Sequence, residues 1–273
     1  MKKSKKLIFK PIGSIAGIGS NAAIKNFLNN AFSEVDFVKD QDGLTAFAKY
    51  IGLINNKEVR VSFTILRRTK YTGFGVDHLL KYRTFQGIRM RISIPSNNPT
   101  RLLITKITKG SFLIKLTKWV MKYKSFKKIN SIKINDFKRE VWSPDELFAK
   151  GFIANSKINT ILNLLTNIKA NILSWGIIVI PNRADISFTF ANLDDFEPEL
   201  LKARLKNSVE IVEQFESIPI SKKLELTKSE LIAQNNPKVF LWKSLGVLFL
   251  FIIFGTALLI GSLYLLAKLI GMA

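Results

Sequence analysis

Residues 59–66 read VRVSFTIL and residues 82–95 read YRTFQGIRMRISIP. In the first stretch Val59, Val61, Phe63 and Ile65 alternate with Arg60, Ser62, Thr64 and Leu66. In the second, Ile88, Met90, Ile92 and Ile94 alternate with Arg89, Arg91 and Ser93. Successive side chains of an extended chain point to opposite sides, so a period of two predicts strands buried on one face. The wet faces of these two strands are expected to carry arginine. Gly73 and Gly75 lie between them and predict a turn, and residues 102–107 continue the theme after the Asn97-Asn98-Pro99 turn. The first half of the chain therefore reads as a basic, mainly antiparallel sheet.

Outward from these strands the period changes. Ser20 or Asn21 can cap a helix in which Ile24, Phe27, Leu28, Ala31 and Phe32 recur at helical spacing. Residues 44–54 fit neither period. Downstream, Ser143, Pro144 and Glu146 make a capping box for a short helix that Gly151 closes. Ile158, Ile161, Leu162, Leu165 and Ile168 then mark an amphipathic helix. SWGIIVIPNRADISFTF, residues 174–190, predicts two strands about a Pro181-Asn182 turn. Pro198 opens a longer helix with Leu201, Leu205, Val209, Val212 and Phe215 as its buried stripe, and Pro219 ends it. The fold class expected is α+β, with an antiparallel-sheet-rich basic region followed by a more helical half.

Residues 244–267 read SLGVLFLFIIFGTALLIGSLYLLA, 24 residues without a charge between Lys243 and Lys268. At about 1.5 Å per residue such a helix covers about 36 Å, against about 30 Å for a hydrocarbon core, so the reading is one C-terminal transmembrane helix. Trp242 and Tyr264 fall near its ends, where aromatic rings favour the headgroup layer. Lys228, Lys238 and Lys243 precede it and Lys268 alone follows, which puts the N-terminal domain in the cytoplasm or its equivalent. With six residues beyond the span, a tail-anchored insertion is expected. A cleaved signal at MKKSKKLIFK is the competing topology, but Lys10, Pro11, Gly13 and Ser14 interrupt the apolar stretch it needs. Ala257 and Gly261 form a small-xxx-small pair on which another membrane helix can pack. The organisation expected is a flexible basic arm at 1–20, a globular region at 21–218 with two halves meeting near 140, a connector at 219–243, the span at 244–267 and a short tail at 268–273.

The chain carries a formal charge of +22, and its placement is uneven. Residues 1–140 hold 29 Lys/Arg against 8 Asp/Glu, whereas residues 141–243 hold 12 of each. Between residues 43 and 135 stand 20 basic side chains and two acidic ones, Glu58 and Asp77. A field this one-sided selects polyanions. SFLIKLTKWVMKYKSFKK, residues 111–128, wound as a helix, sets Phe112, Leu116, Trp119, Val120 and Tyr123 on one side and Lys115, Lys118 and Lys122 on another. That is the composition of a helix lying in a bilayer interface, and it equally fits a stripe packed on the protein's own sheet.

Little in the sequence speaks for catalysis. It has no cysteine, which removes thiolate nucleophiles, Cys-ligated zinc and iron–sulfur clusters. His78 is the one histidine, beside Asp77, and no Gly-x-Ser-x-Gly elbow accompanies it. The pairs Asp145/Glu146 and Asp194/Asp195 stand at predicted helix starts, where capping explains carboxylates. Gly13, Gly17 and Gly19 precede a helix but match neither nucleotide-binding glycine pattern. Glu210, Glu213 and Glu216 read as a solvated helix face. No cofactor, metal or enzymatic activity is expected.

The function expected is that of a non-catalytic, single-pass membrane protein whose basic region binds an anionic lipid surface, or serves as an accessory or scaffold subunit of a membrane assembly. The residues expected to do so are Arg67, Arg68, Arg89 and Arg91 together with Lys115, Lys118, Trp119 and Lys122. One alternative is binding of nucleic acid or a ribonucleoprotein, for which Arg83 and Lys106 add charge and Tyr71, Tyr82 and Phe85 offer stacking surfaces. The other is an enzyme without a recognisable motif.

Overall fold

The computed structural model describes residues 17–40, 46–72, 80–106, 126–167, 172–190 and 196–270; within these ranges some side chains, among them those of 68–72 and 80–85, lie outside the description. The described strands are β1 (Val38–Lys39), β2 (Ala48–Ile54), β3 (Lys57–Thr72), β4 (Leu80–Pro95), β5 (Leu102–Lys106), β6 (Lys127–Ile134), β7 (Phe137–Ser143), β8 (Ile172–Ile180) and β9 (Arg183–Phe190). They form one nine-stranded sheet in the order β1-β2-β3-β4-β9-β8-β5-β7-β6, every pairing antiparallel. The described helices are α1 (Gly17–Ser33), α2 (Glu146–Ala154), α3 (Ser156–Asn167), α4 (Pro198–Glu216), α5 (Lys228–Asn235) and α6 (Pro237–Leu269).

Local chemistry sets the hairpins. Asn55 and Asn56 both have positive φ, 49° and 60°, the backbone of the two-residue turn that suits the twist of paired strands. Asn135 and Asn182 take the same left-handed region at the β6–β7 and β8–β9 turns; asparagine tolerates it because its short side chain bonds to nearby backbone. The apolar positions of the alternating strands then fall on one face. Val59, Val61, Phe63, Ile88, Met90 and Ile92 are all buried, and α4 lays Leu201, Leu205, Val209 and Val212 over them. Each fully buried side chain of this kind stabilises the fold by about 1.5–3 kcal/mol relative to exposure. Aromatic rings join the helices to the sheet: Phe32 stacks on Tyr50 at 4.2 Å, and Phe196 meets Phe63 at 5.4 Å and Phe190 at 4.9 Å. Tyr50, although buried, keeps its hydroxyl satisfied by donating to Asn29 Oδ1 at 2.7 Å.

The arrangement differs from a sheet half followed by a helical half. β8 and β9, from the second half of the chain, sit between β4 and β5, so strands from both halves share one core. β6 and β7 add a hairpin at one edge, where Lys127, Lys128 and Lys133 discourage further strand pairing. The cap of α2 is Asp145 and not Ser143, and the helix runs through Gly151 to Ala154. Ser143 instead donates to Arg101 O and accepts from the Asp145 N–H.

The chain divides into two compact units, residues 1–225 and 226–273. In the second, Thr227 and Glu230 form a capping box that opens α5, and Pro237 opens α6. Here the expectation of a transmembrane helix is corrected: among the described residues, no helix is long and apolar enough to cross a membrane. The uncharged residues 244–267 lie within α6. α6 is helical through that stretch, from Pro237 to Leu269. The single-pass, tail-anchored assignment is therefore withdrawn. What α6 does display is exposed apolar surface, with Trp242, Phe254 and Leu258 at 72%, 67% and 74% exposure.

Candidate anion-binding face

α4 contacts β2 and β4, and the register fixes which residues share the sheet face opposite Val61 and Met90. Lys49 pairs with Ser62, Ser62 with Arg91, Arg91 with Ser187, and Ser187 with Gly176. The neighbouring row runs Thr64, Arg89, Thr189, Ser174. A third runs Ile51, Arg60, Ser93, Asp185, Ile178. Because paired residues share a face, these rows build a surface of hydroxyls and guanidinium groups. On β2, β3, β4 and β9 it holds five cations, Lys49, Arg60, Arg89, Arg91 and Arg183, against two acids, Glu58 and Asp185.

Those charges are not equivalent. Asp185 is nearly fully buried; Arg91 donates to its Oδ2, Ser93 Oγ donates to its Oδ1 at 2.6 Å, and Arg183 Nε lies 3.3 Å away. Arg91 and Arg183 are thus partly committed to neutralising a buried carboxylate. Arg60 pairs with Glu58 at 2.7 Å, both well exposed. Lys49 and Arg89 have no acid within ion-pair reach among the described residues, and Arg89 is exposed. They are the cations on this face best placed to meet a partner.

Arg67 and Arg68 lie elsewhere. The β3–β4 register shifts between Leu66 and Arg67, where Gly87 takes φ +130°. A Cβ at Gly87 would come within 2.5 Å of Phe190 O, so glycine alone allows both this backbone and the close passage of β9. Past this bulge β3 and β4 pair only with each other: β2 pairs β3 no further than Phe63, and β9 pairs β4 no further than Ile88. Arg67, which is exposed, and the backbone of Arg68 belong to that two-stranded ribbon. The side chain of Arg68, all of Lys115, Lys118, Trp119 and Lys122, and His78, Asp194 and Asp195 lie outside the described residues. Ala257 and Gly261 are both exposed on α6, and a Cβ at Gly261 meets nothing within 4 Å.

The remaining charged groups serve the body. Asp145 is fully buried; burial alone would raise its pKa, but the Phe148 N–H, the Ser221 hydroxyl and the Lys222 and Ser221 N–H groups donate to it and hold it below the usual carboxylate range. It thereby ties the segment after α4 to the start of α2. Glu146 is exposed, and its pKa is lowered by the hydrogen bond and charge of Lys150, 2.7 Å away. Glu216 binds Lys57 at 3.2 Å, and Glu210 approaches Lys157 at 3.4 Å. Among the described residues no cluster of three His, Cys, Asp or Glu could hold a metal.

Sequence reasoning missed Arg139. It is nearly fully buried, lies 5.1 Å from the Phe137 ring and 5.2 Å from the Trp175 ring, and donates to Trp175 O at 2.9 Å. Burial lowers its pKa, and no carboxylate faces it among the described residues. Arg204, also buried, lies 4.7 Å over the Phe190 ring.

No family model and no curated protein matches the chain. A solved structure, the mycobacterial trehalose monomycolate transport factor A, TtfA, is similar at 12% identity with a TM-score of 0.40, over 75% of this chain and 99% of that one.

Proposed function

We propose that this protein is a non-catalytic accessory factor whose basic body binds an anionic lipid surface. The observation that supports this reading is the polar sheet face, where exposed Arg89 and half-buried Lys49 share rows with serine and threonine and have no acid partner among the described residues. Guanidinium and hydroxyl groups donate well to phosphate oxygens. Each cation near an anionic leaflet adds about 1 kcal/mol, so an excess of three charges supplies about 3 kcal/mol. The apolar side chains exposed on α6 favour lipid over nucleic acid, because exposed apolar surface of this extent marks an interaction site. A lipid surface offers both phosphate and hydrocarbon, whereas nucleic acid offers mainly the first.

The test is co-sedimentation of residues 1–225, the unit that contains the whole sheet, with phosphatidylcholine vesicles that either contain or lack phosphatidylglycerol. Binding is expected only with phosphatidylglycerol and is expected to fade as salt rises, since exposed charges are screened within about 10 Å at 0.1 M. Equal binding to both vesicle types, or to neither, overturns the reading.

A further inference from the structure

The part of the β3–β4 hairpin beyond Gly87 is built unlike the rest of the sheet. Residues 66–72 and 80–87 contain five cations, Arg67, Arg68, Lys70, Lys81 and Arg83, and no acid. Three aromatic residues complete the pattern, and the register sets each opposite a cation: Phe85 opposite Arg67, Tyr82 opposite Lys70, and Tyr71 opposite Lys81. Alternation distributes the cations over both faces, with Arg67, Lys81 and Arg83 at positions on one and Arg68 and Lys70 on the other. The strands remain paired from Arg67–Phe85 to Thr72–Leu80. At about 3.3 Å per residue the ribbon therefore reaches about 20 Å beyond the bulge.

We infer that this ribbon is a second lipid-contacting element, which enters the headgroup layer of an anionic membrane end-on; the inference rests on the lipid reading proposed above. A ribbon lying flat on a membrane would need its cations on one face only. Cations at positions on both faces suit an element surrounded by headgroups on all sides. Tyrosine is favoured at the depth of the headgroups, and lysine and arginine keep their charge there while their stems lie along apolar surface. Beyond the register shift at Gly87 the ribbon pairs with neither β2 nor β9, so end-on contact does not require the sheet to open.

The chain has no cysteine, so single labels can be introduced without background. An environment-sensitive fluorophore is placed in the full-length protein at Thr69→Cys in the ribbon, and separately at Thr64→Cys on the sheet face. Each is mixed with vesicles of phosphatidylglycerol and phosphatidylcholine, with pure phosphatidylcholine, and with duplex DNA or RNA. The expected result is a blue shift at position 69 with phosphatidylglycerol that exceeds the shift with phosphatidylcholine alone. Replacing the five ribbon cations with glutamine should abolish that excess while leaving the unfolding midpoint unchanged; each lost cation is expected to weaken binding about five-fold. A response at position 64 with none at 69 overturns the ribbon inference and leaves the sheet-face reading standing. Silence at both positions overturns both readings, and a shift at 69 produced by DNA or RNA in preference to phosphatidylglycerol assigns the ribbon to nucleic acid and overturns the inference.

Discussion

β3 and β4 each pass through two environments, and the difference shows what their sequences specify. Before the bulge, Val61 and Phe63 pack under helices, β2 and β9 flank the pair, and arginine is confined to one face. Beyond it no described strand flanks the pair, and cations take positions on both faces. Burial dictates residue type in the first region, because a cation on the inner face would lose its hydration without a partner. In the second no described strand flanks the pair, and the proposed reading assigns its charge and aromatic character to a partner outside the chain.

The sharpest way to break this contrast is to truncate one ring in each region. Phe63→Ala should cost about 3–5 kcal/mol in a denaturant titration, whereas Tyr82→Ala should stay within about 0.5 kcal/mol. Comparable losses would show that the ribbon is part of the folded core. The junction comes next. Gly87→Ala forces an L side chain to φ +130° and puts its Cβ 2.5 Å from Phe190 O; a loss of about 1–3 kcal/mol from the backbone alone is expected in the same titration.

Asp145 tests whether the body is secured independently of its cationic surfaces. Asp145→Asn removes a buried carboxylate that accepts four hydrogen bonds, and about 1–3 kcal/mol should be lost at neutral pH. Its folded pKa is depressed, so its contribution is full above the unfolded value of about 3.9 and disappears as pH falls from there through the folded pKa. The wild type should lose its advantage over Asp145→Asn in that acid window, as read by unfolding midpoints at several pH values. A smaller effect than at Asp145 is expected at Arg139. It has no carboxylate partner among the described residues, and Arg139→Met should change stability by less than about 1 kcal/mol or raise it, because replacing a buried cation with an apolar side chain of similar length removes a desolvation cost.

Much of the sheet was legible wherever one face is buried and the other wet. β3 and β4 carry that alternation before the bulge, and α4 carries its stripe at helical spacing; in β9 the residue types alternate, but Asp185 and Thr189 on the polar row are buried as well. β7 does not, because Arg139, Glu140, Val141 and Trp142 are buried in succession and the period vanishes. The placement of Arg89 and Arg91 on one face follows from their spacing of two, but the proximity of Lys49 and the pairing of Arg91 with Asp185 depend on nonlocal strand neighbours. The apolar run at 244–267 signals a helix, which α6 provides; the crossing of a bilayer was an over-reading of that run.

The most direct test compares residues 1–225 with the variant Lys49→Gln/Arg89→Gln for affinity to phosphatidylglycerol vesicles, with unfolding midpoints measured alongside. At about 1 kcal/mol per cation the affinity should fall about thirty-fold with the midpoint unchanged. An unchanged affinity would contradict the account, because the polar sheet face would then have no part in binding.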